Sequence, residues 1–270
     1  MNKNLNSSLE RLDLEQGQLV GSPSQVFNRV SVYIDGFNLY HAIKDIQKIN
    51  DNGSCLRKID NYKSLTWINL KKLAELYCCN KVKNSTIVDI NFFTAFPRHK
   101  PKEQQLNHIN YCKIQKKYCD VNIIERKFTT YTDKNGKKIT TEKQTDTNLA
   151  VSVIADILIG KIDTAIIISN DSDIIAIINK SKELNIGKII IFTPPSEKYT
   201  NTQLNTKDSV QKTLFMSSDI NKAMKYYYNN ELFNKIYDLK VKFLLDCLLP
   251  NEININGEII KNPYLEDYPL

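Results

Sequence analysis

The stretch VSVYIDGFNLYHAIKD, residues 30–45, decides how this chain folds. Val30 to Ile34 reads as a buried strand, rich in the β-branched and aromatic residues that fit a pleated surface. The run stops at Asp35, passes through Gly36 and turns at once into FNLYHAIKDI, whose apolar spacing is helical. On its own this is a strand-to-helix turn with a polar cap. It becomes a site only if other carboxylates are delivered to the same place.

The same alternation recurs along the chain. TWINLKKLAELYC (66–78) has helical spacing in Trp67, Ile68, Leu70, Leu73, Leu76 and Tyr77, and STIVDINFFTAF (85–96) is a second strand. Beyond Pro97 and Pro101, KEQQLNHINYCKIQKKYC (102–119) is helical and VNIIERKF (121–128) is a third strand. In TTYTDKNGKKITTEKQ (129–144), Asn135-Gly136 between Thr-rich arms predicts a basic β-hairpin. A helix (146–160), the strand DTAIIIS (163–169), the turn NDSD (170–173), a second helix (174–185) and the strand KIIIFTPP (188–195) complete the series.

Short β-branched runs separated by helices of about 10–15 residues are parallel βαβ units, a sheet covered on both faces. The expected fold class is therefore α/β, with a mostly parallel five-stranded sheet in one domain over residues 29–225. Residues 1–28, polar and rich in Asn, Ser and Gln, are expected to form a loose arm. Residues 226–270 are expected to be an extension. One or two amphipathic helices fall within INKAMKYYYNNELFNKIYDLKVKFLLDCLLP (220–250), and a small hairpin or tail follows.

The 270 residues carry 37 Lys and Arg against 30 Asp and Glu, a formal charge of +7 that favours a polyanionic partner. The N-terminus has no apolar core of signal-peptide length, and no uncharged run reaches the ~18 residues of a membrane span, so a cytoplasmic protein without membrane contact is expected. Six scattered cysteines show no CxxC spacing. His108, Cys112 and Cys119 could share one face of a helix, a zinc reading that lacks a fourth ligand.

In open parallel sheets functional groups gather at the carboxyl ends of strands, where strand order reverses. Asp35 ends the first strand, and Asp171 and Asp173 follow the strand AIIIS. Asp146 begins the helix that feeds that same strand, so its N-terminus can reach the same rim. Each has an ordinary role as a helix cap. Together they are expected to meet. Two carboxylates about 5 Å apart repel by roughly 3 kcal/mol at an effective dielectric near 20, which calls for shared protons or a hard divalent cation such as Mg²⁺ or Mn²⁺. A cation touching phosphate can orient a water for attack and stabilise the leaving oxygen.

A nucleic acid strand would need cations for its phosphates and aromatics for its bases around that pocket. Arg126, Lys127, Lys137, Lys138 and Lys143 lie in or beside the hairpin just before Asp146, and Arg98 follows the carboxyl end of the second strand. Ser169, Asn170 and Ser172 are the polar groups set among the acidic ones. Phe37 and Tyr40 directly follow Asp35 and suit either core packing or stacking. The cluster KYYYNN (225–230) suits packing on the domain or on a second copy, a homodimer.

YIDGFNLY (33–40), EKQTDTNLAV (142–151) and IIISNDSDIIAII (166–178), in that order, resemble the three signature blocks of the NYN domain family, the LabA/DUF88-like branch of the PIN-like nuclease superfamily. The resemblance spans about residues 30–195. It implies a PIN-like Rossmannoid α/β/α fold and a metal-dependent endoribonuclease using Mg²⁺ or Mn²⁺ on RNA, with DNA left open. Asp35, Asp146, Asp171 and Asp173 would then hold the metal, Asn38 would position substrate or a water, and Lys143 would contact the scissile phosphate. Two positions depart from the pattern. Asn170 stands where the family often has Gly, a place for a residue that tolerates left-handed backbone, and Ser152 stands where many relatives carry a further Asp. The second departure implies weaker or single metal binding, and it motivates a rival reading: an RNA-binding or regulatory protein that kept the fold without turnover. A phosphatase on a similar sheet is a further rival, but its phosphoryl-accepting Asp usually has another Asp two residues on, and here that residue is Phe37.

Overall fold

A computed structural model describes residues 27–51, 62–132, 136, 138–142, 145–195 and 236–264. Its main sheet has the order β4-β3-β2-β1-β5-β6-β7. The strands are β1 (Asn28–Asp35), β2 (Ser85–Phe96), β3 (Asn122–Thr132), β4 (Lys138–Glu142), β5 (Thr164–Ile168), β6 (Lys188–Thr193) and β7 (Ile236–Asp238). The five expected strands β3, β2, β1, β5 and β6 pair in parallel, while β4 turns back antiparallel on β3. Gly136, between those two arms, has φ of +77°. The chain steps outward from β1 to β2 to β3 and then returns to place β5 on the other side of β1. The boundary between β1 and β5 is thus the point where strand order reverses.

Alternation along β1 sends its side chains to two cores. Val30, Val32 and Ile34 face α1 (Gly36–Asp51) through Leu39, Ile43 and Ile46, and share that layer with Leu70 and Leu73 of α2 (Leu70–Leu73) and Ile114 of α3 (Lys102–Lys117). Tyr33 joins Phe93, Ile167 and Ile191 on the other face, under Leu149, Val153 and Ile157 of α4 (Thr145–Leu158) and Ile174, Ile177 and Ile178 of α5 (Ile174–Glu183). Each such side chain, fully buried, contributes roughly 1.5–3 kcal/mol. The result is an α/β/α sandwich, and β5, buried at every residue, lies beside the central strand β1.

Three segments depart from expectation. The helix read from Trp67 begins only at Leu70, because the Asn69 side chain caps it by accepting the Lys72 N–H at 2.9 Å. It then loosens into a π turn over Ala74–Cys78. Ile68 instead bridges to Leu248. At the C-terminus, residues read as helical include β7, a sixth parallel strand beside β6, and a short helix α6 (Val241–Asp246). Residues 220–235 of that stretch, the cluster KYYYNN and the arm up to residue 26 lie outside the described residues. Of the hairpin or tail expected near the end, a hairpin is present as β8 (Glu252–Ile255) and β9 (Glu258–Lys261), turned by Asn256 and Gly257, both at positive φ. Its Ile253, Ile255 and Ile260 pack into the α1 layer. No helix among the described residues is long and apolar enough to cross a membrane.

Candidate functional site

Register sets the site. Ile34 of β1 lies beside Ile168 of β5, so the next residues, Asp35 and Ser169, emerge together at the carboxyl rim. Both are buried, at 3% and 1% exposure. The Ser169 hydroxyl donates to Asp35 Oδ2 at 2.9 Å, and the Asn38 backbone N–H donates to Asp35 Oδ1 at 2.9 Å. Asp35 therefore caps α1 and is held by β5 at the same time. Gly36 is required by close approach: a Cβ there would stand 2.5 Å from the Phe92 ring and 2.6 Å from the Phe93 carbonyl oxygen.

The loop after β5 is wired to this point. Asp171 N–H donates to Ser169 Oγ at 3.1 Å, and Asp173 N–H donates to Asp171 Oδ1 at 3.0 Å. Asn38 and Asn170 bond reciprocally: the Asn38 amide donates to Asn170 Oδ1 at 2.6 Å, and Asn170 N–H donates to Asn38 Oδ1 at 3.1 Å. Asn170 is not among the residues at positive φ, so its role here is this side-chain tie and not the left-handed turn that the family's Gly suggested. Asp35 caps α1, while Asp171 closes the turn before α5 by accepting the Asp173 N–H. Asp173 precedes α5 without capping it, and its side chain is exposed.

Asp146 stands in the first turn of α4. Asp35, Asp146, Asp171 and Asp173 line one pocket with Ser169, Leu149, Ile174 and Ile177. Among the described residues the lining is apolar at Leu149, Ile174 and Ile177, and its charged groups are carboxylates. Among the described residues no group of three or more His, Cys, Asp and Glu side chains is placed so that it could hold a metal ion. Ser152 lies on α4, partly buried and outside this lining.

The remaining residues are placed as follows. Ser172 is exposed beside the pocket, its hydroxyl 3.5 Å from Asp171 Oδ1. Arg98 is exposed in the turn after β2, on the same rim. Arg126 and Lys127 belong to β3 and Lys138 to β4, but their side chains, like all of Lys137 and Lys143, lie outside the described residues. His108 and Cys112 approach to 3.6 Å on α3, yet burial lowers the His108 pKa and raises the Cys112 thiol to about 12, and no metal-holding group forms there among the described residues. Phe37 and Tyr40 are not core: they are 46% and 45% exposed. What the sequence did not reveal is the Asn38–Asn170 tie. Its signal was two asparagines in two of the three acidic blocks.

An α/β/α domain whose carboxylates meet at the strand-order reversal is a hydrolase-like scaffold of the PIN type. The chain belongs to the NYN domain family, whose model matches residues 29–213. NYN domains are generally nucleases, which implies a nucleic acid substrate. No curated protein matches the chain. A crystal structure of a protein of unknown function from Vibrio parahaemolyticus RIMD 2210633 is similar at 10% identity, over 81% of this chain and 97% of that one, with a TM-score of 0.42.

Proposed function

We propose that this chain is a metal-dependent endoribonuclease, with Mg²⁺ or Mn²⁺ held by Asp35, Asp146, Asp171 and Asp173. The observation that carries this reading is the lining of one pocket by four carboxylates drawn from β1, α4 and the loop after β5. Among the described residues the donor set fits a hard cation, since its ligating groups are oxygens. Mg²⁺ is commonly bound through one or two carboxylates and keeps several waters. When bound, the ion supplies charge for the leaving oxygen and a nucleophilic water.

The chain's own groups do the positioning. Ser169 and the Asn38 N–H fix the Asp35 carboxylate, and the Asn38–Asn170 tie locks the β5 loop against α1. Ser172, next to Asp171, and Arg98, in the turn after β2, would contact substrate, joined by Lys143 and the hairpin residues Arg126, Lys127, Lys137 and Lys138 as phosphate contacts.

The test is a cleavage assay on unstructured RNA, structured RNA and DNA, with EDTA or with added Mn²⁺. Expected is RNA cleavage that needs metal and leaves 5′-phosphate ends. Asp35→Asn should reduce it by at least ~100-fold, since metal charge stabilisation is worth several kcal/mol, and should spare RNA binding. Cleavage indifferent to EDTA and to Asp35→Asn overturns the proposal. A wild type that binds RNA but cuts nothing with Mn²⁺ leaves the regulatory RNA-binding reading, which Ser152 favours.

A further inference from the structure

The outward face of α1 does not look like an ordinary solvated helix face. Leu39, Ile43 and Ile46 turn one side of this 16-residue helix to the core, and the described residues of that core do not include the opposite side. It nevertheless carries Phe37, Tyr40, His41 and Lys44 at i, i+3, i+4 and i+7, a single stripe. The stripe starts two residues after the buried pocket carboxylate Asp35. Its rings contact one another: Phe37 and His41 lie 4.3 Å apart between centroids at 61°, and Tyr40 and His41 lie 5.5 Å apart at 86°. The Lys44 ammonium sits 5.8 Å from the Tyr40 ring centroid and 5.7 Å from that of Tyr264. The cation is thus held between two rings at the far end of the stripe.

Singly exposed apolar residues need no explanation. A contiguous aromatic cluster ending in a lysine, beside an acidic pocket on a chain of charge +7, does. A protein partner would be served by aliphatic as much as aromatic side chains. Rings interleaved with a cation match the alternation of bases and phosphates in a single strand, where bases stack sequence-tolerantly on aromatic faces. From Phe37 to Lys44 the helix rises ~10 Å. That length takes about two or three bases at a stacking step of ~3.4 Å.

We propose that this stripe is a docking track for single-stranded nucleic acid running from the pocket, with Phe37 and Tyr40 as stacking platforms, His41 bracing them and Lys44 meeting a phosphate. The track deepens the nuclease reading and takes the identity of its ligand from it. It makes unpaired strands the preferred substrate, because bases held in a duplex cannot reach the rings.

The experiment measures binding of a short fluorescent single-stranded RNA to the full chain in EDTA, where no cleavage occurs, with a hairpin duplex of the same composition alongside. Phe37→Ala and Tyr40→Ala should each weaken single-strand binding by about tenfold and leave duplex binding nearly unchanged. Phe37→Trp and Tyr40→Phe should retain it. Lys44→Gln should weaken binding and make the salt dependence shallower by about 0.7 in the log–log slope. With Mn²⁺ the alanine variants should raise KM with little change in kcat, the reverse of Asp35→Asn. Unchanged single-strand affinity in both alanine variants overturns the track, as does a wild type that binds no single strand at low salt. Strand binding that depends on the stripe without any Mn²⁺-dependent cleavage would retire the nuclease reading and keep the track. Normal cleavage with unchanged affinity in the variants would do the opposite.

Discussion

Two acidic clusters flank β1 and β2, and they solve the same electrostatic problem differently. In the first, Asp89 of β2 and Asp156 of α4 share Lys161, whose ammonium lies 2.6 Å from Asp89 and 3.4 Å from Asp156. The buried Tyr33 phenol also donates to Asp156 at 2.7 Å. Burial around Tyr33, helped by that hydrogen bond, pushes the phenol's pKa far up, so it stays protonated. In the second cluster, Asp35, Asp146, Asp171 and Asp173 line a pocket in which, among the described residues, the other lining groups are a serine and three apolar side chains. One cluster carries its own cation. The other collects its carboxylates at the strand-order reversal, an arrangement that, on the proposed function, a dissociable cation completes.

The largest stability effect should come from disturbing the second cluster's frame. Gly36→Ala drives a Cβ into the Phe92 ring and the Phe93 carbonyl oxygen, and the backbone contact cannot yield cheaply. A cost of about 1–3 kcal/mol is expected, lowering Tm by roughly 2–4 °C per kcal/mol. Metal-dependent activity should fall with it, because Asp35 is the adjacent residue. Calorimetry checks the first expectation and the cleavage assay the second. Activity and Tm both at wild-type values would mean that the strand-to-helix junction does not position the carboxylate.

A smaller effect belongs to the first cluster. Lys161→Met should cost about 1 kcal/mol, because the lysine is more than a third exposed and solvent screens the pair. Its pKa is raised above the ordinary 10.5, mainly by its hydrogen bond to Asp89, against burial and with further attraction from Asp156. The folded-state value exceeds the unfolded one, so this contribution is complete below pH 10.5 and is lost as pH rises through the folded value. The Tm gap between wild type and variant should therefore hold at neutral pH and close in strong alkali. Cleavage should be untouched. The smallest effect is that of Asp156→Asn, which keeps an oxygen to accept from Tyr33. A few tenths of a kcal/mol of stability and no change in Mn²⁺ dependence are expected.

The second cluster was legible because parallel topology does the work. Once Val30–Ile34 and Ala165–Ile168 are read as strands of one sheet, Asp35 and the Asp171/Asp173 pair must emerge at one rim, and Asp146 follows from the helix that feeds β5. The first cluster was not legible. Asp156 reads as a solvated or capping charge, and nothing local says that it will meet a tyrosine 123 residues away. β7 was hidden for a related reason: a three-residue edge strand is too short to show period-two alternation, and it sits in a stretch with helical spacing. The last segment read only as a small hairpin or tail, and the hairpin's burial against the α1 layer comes from tertiary contacts that turn chemistry does not encode.

The most direct measurement is a Mn²⁺ titration followed by electron paramagnetic resonance on wild type, Asp35→Asn, Asp173→Asn and Asp156→Asn. Wild type and Asp156→Asn should bind the ion alike, while both pocket variants weaken binding about tenfold or more. Equal binding by all four proteins would place the ion elsewhere and remove the distinction between the two clusters.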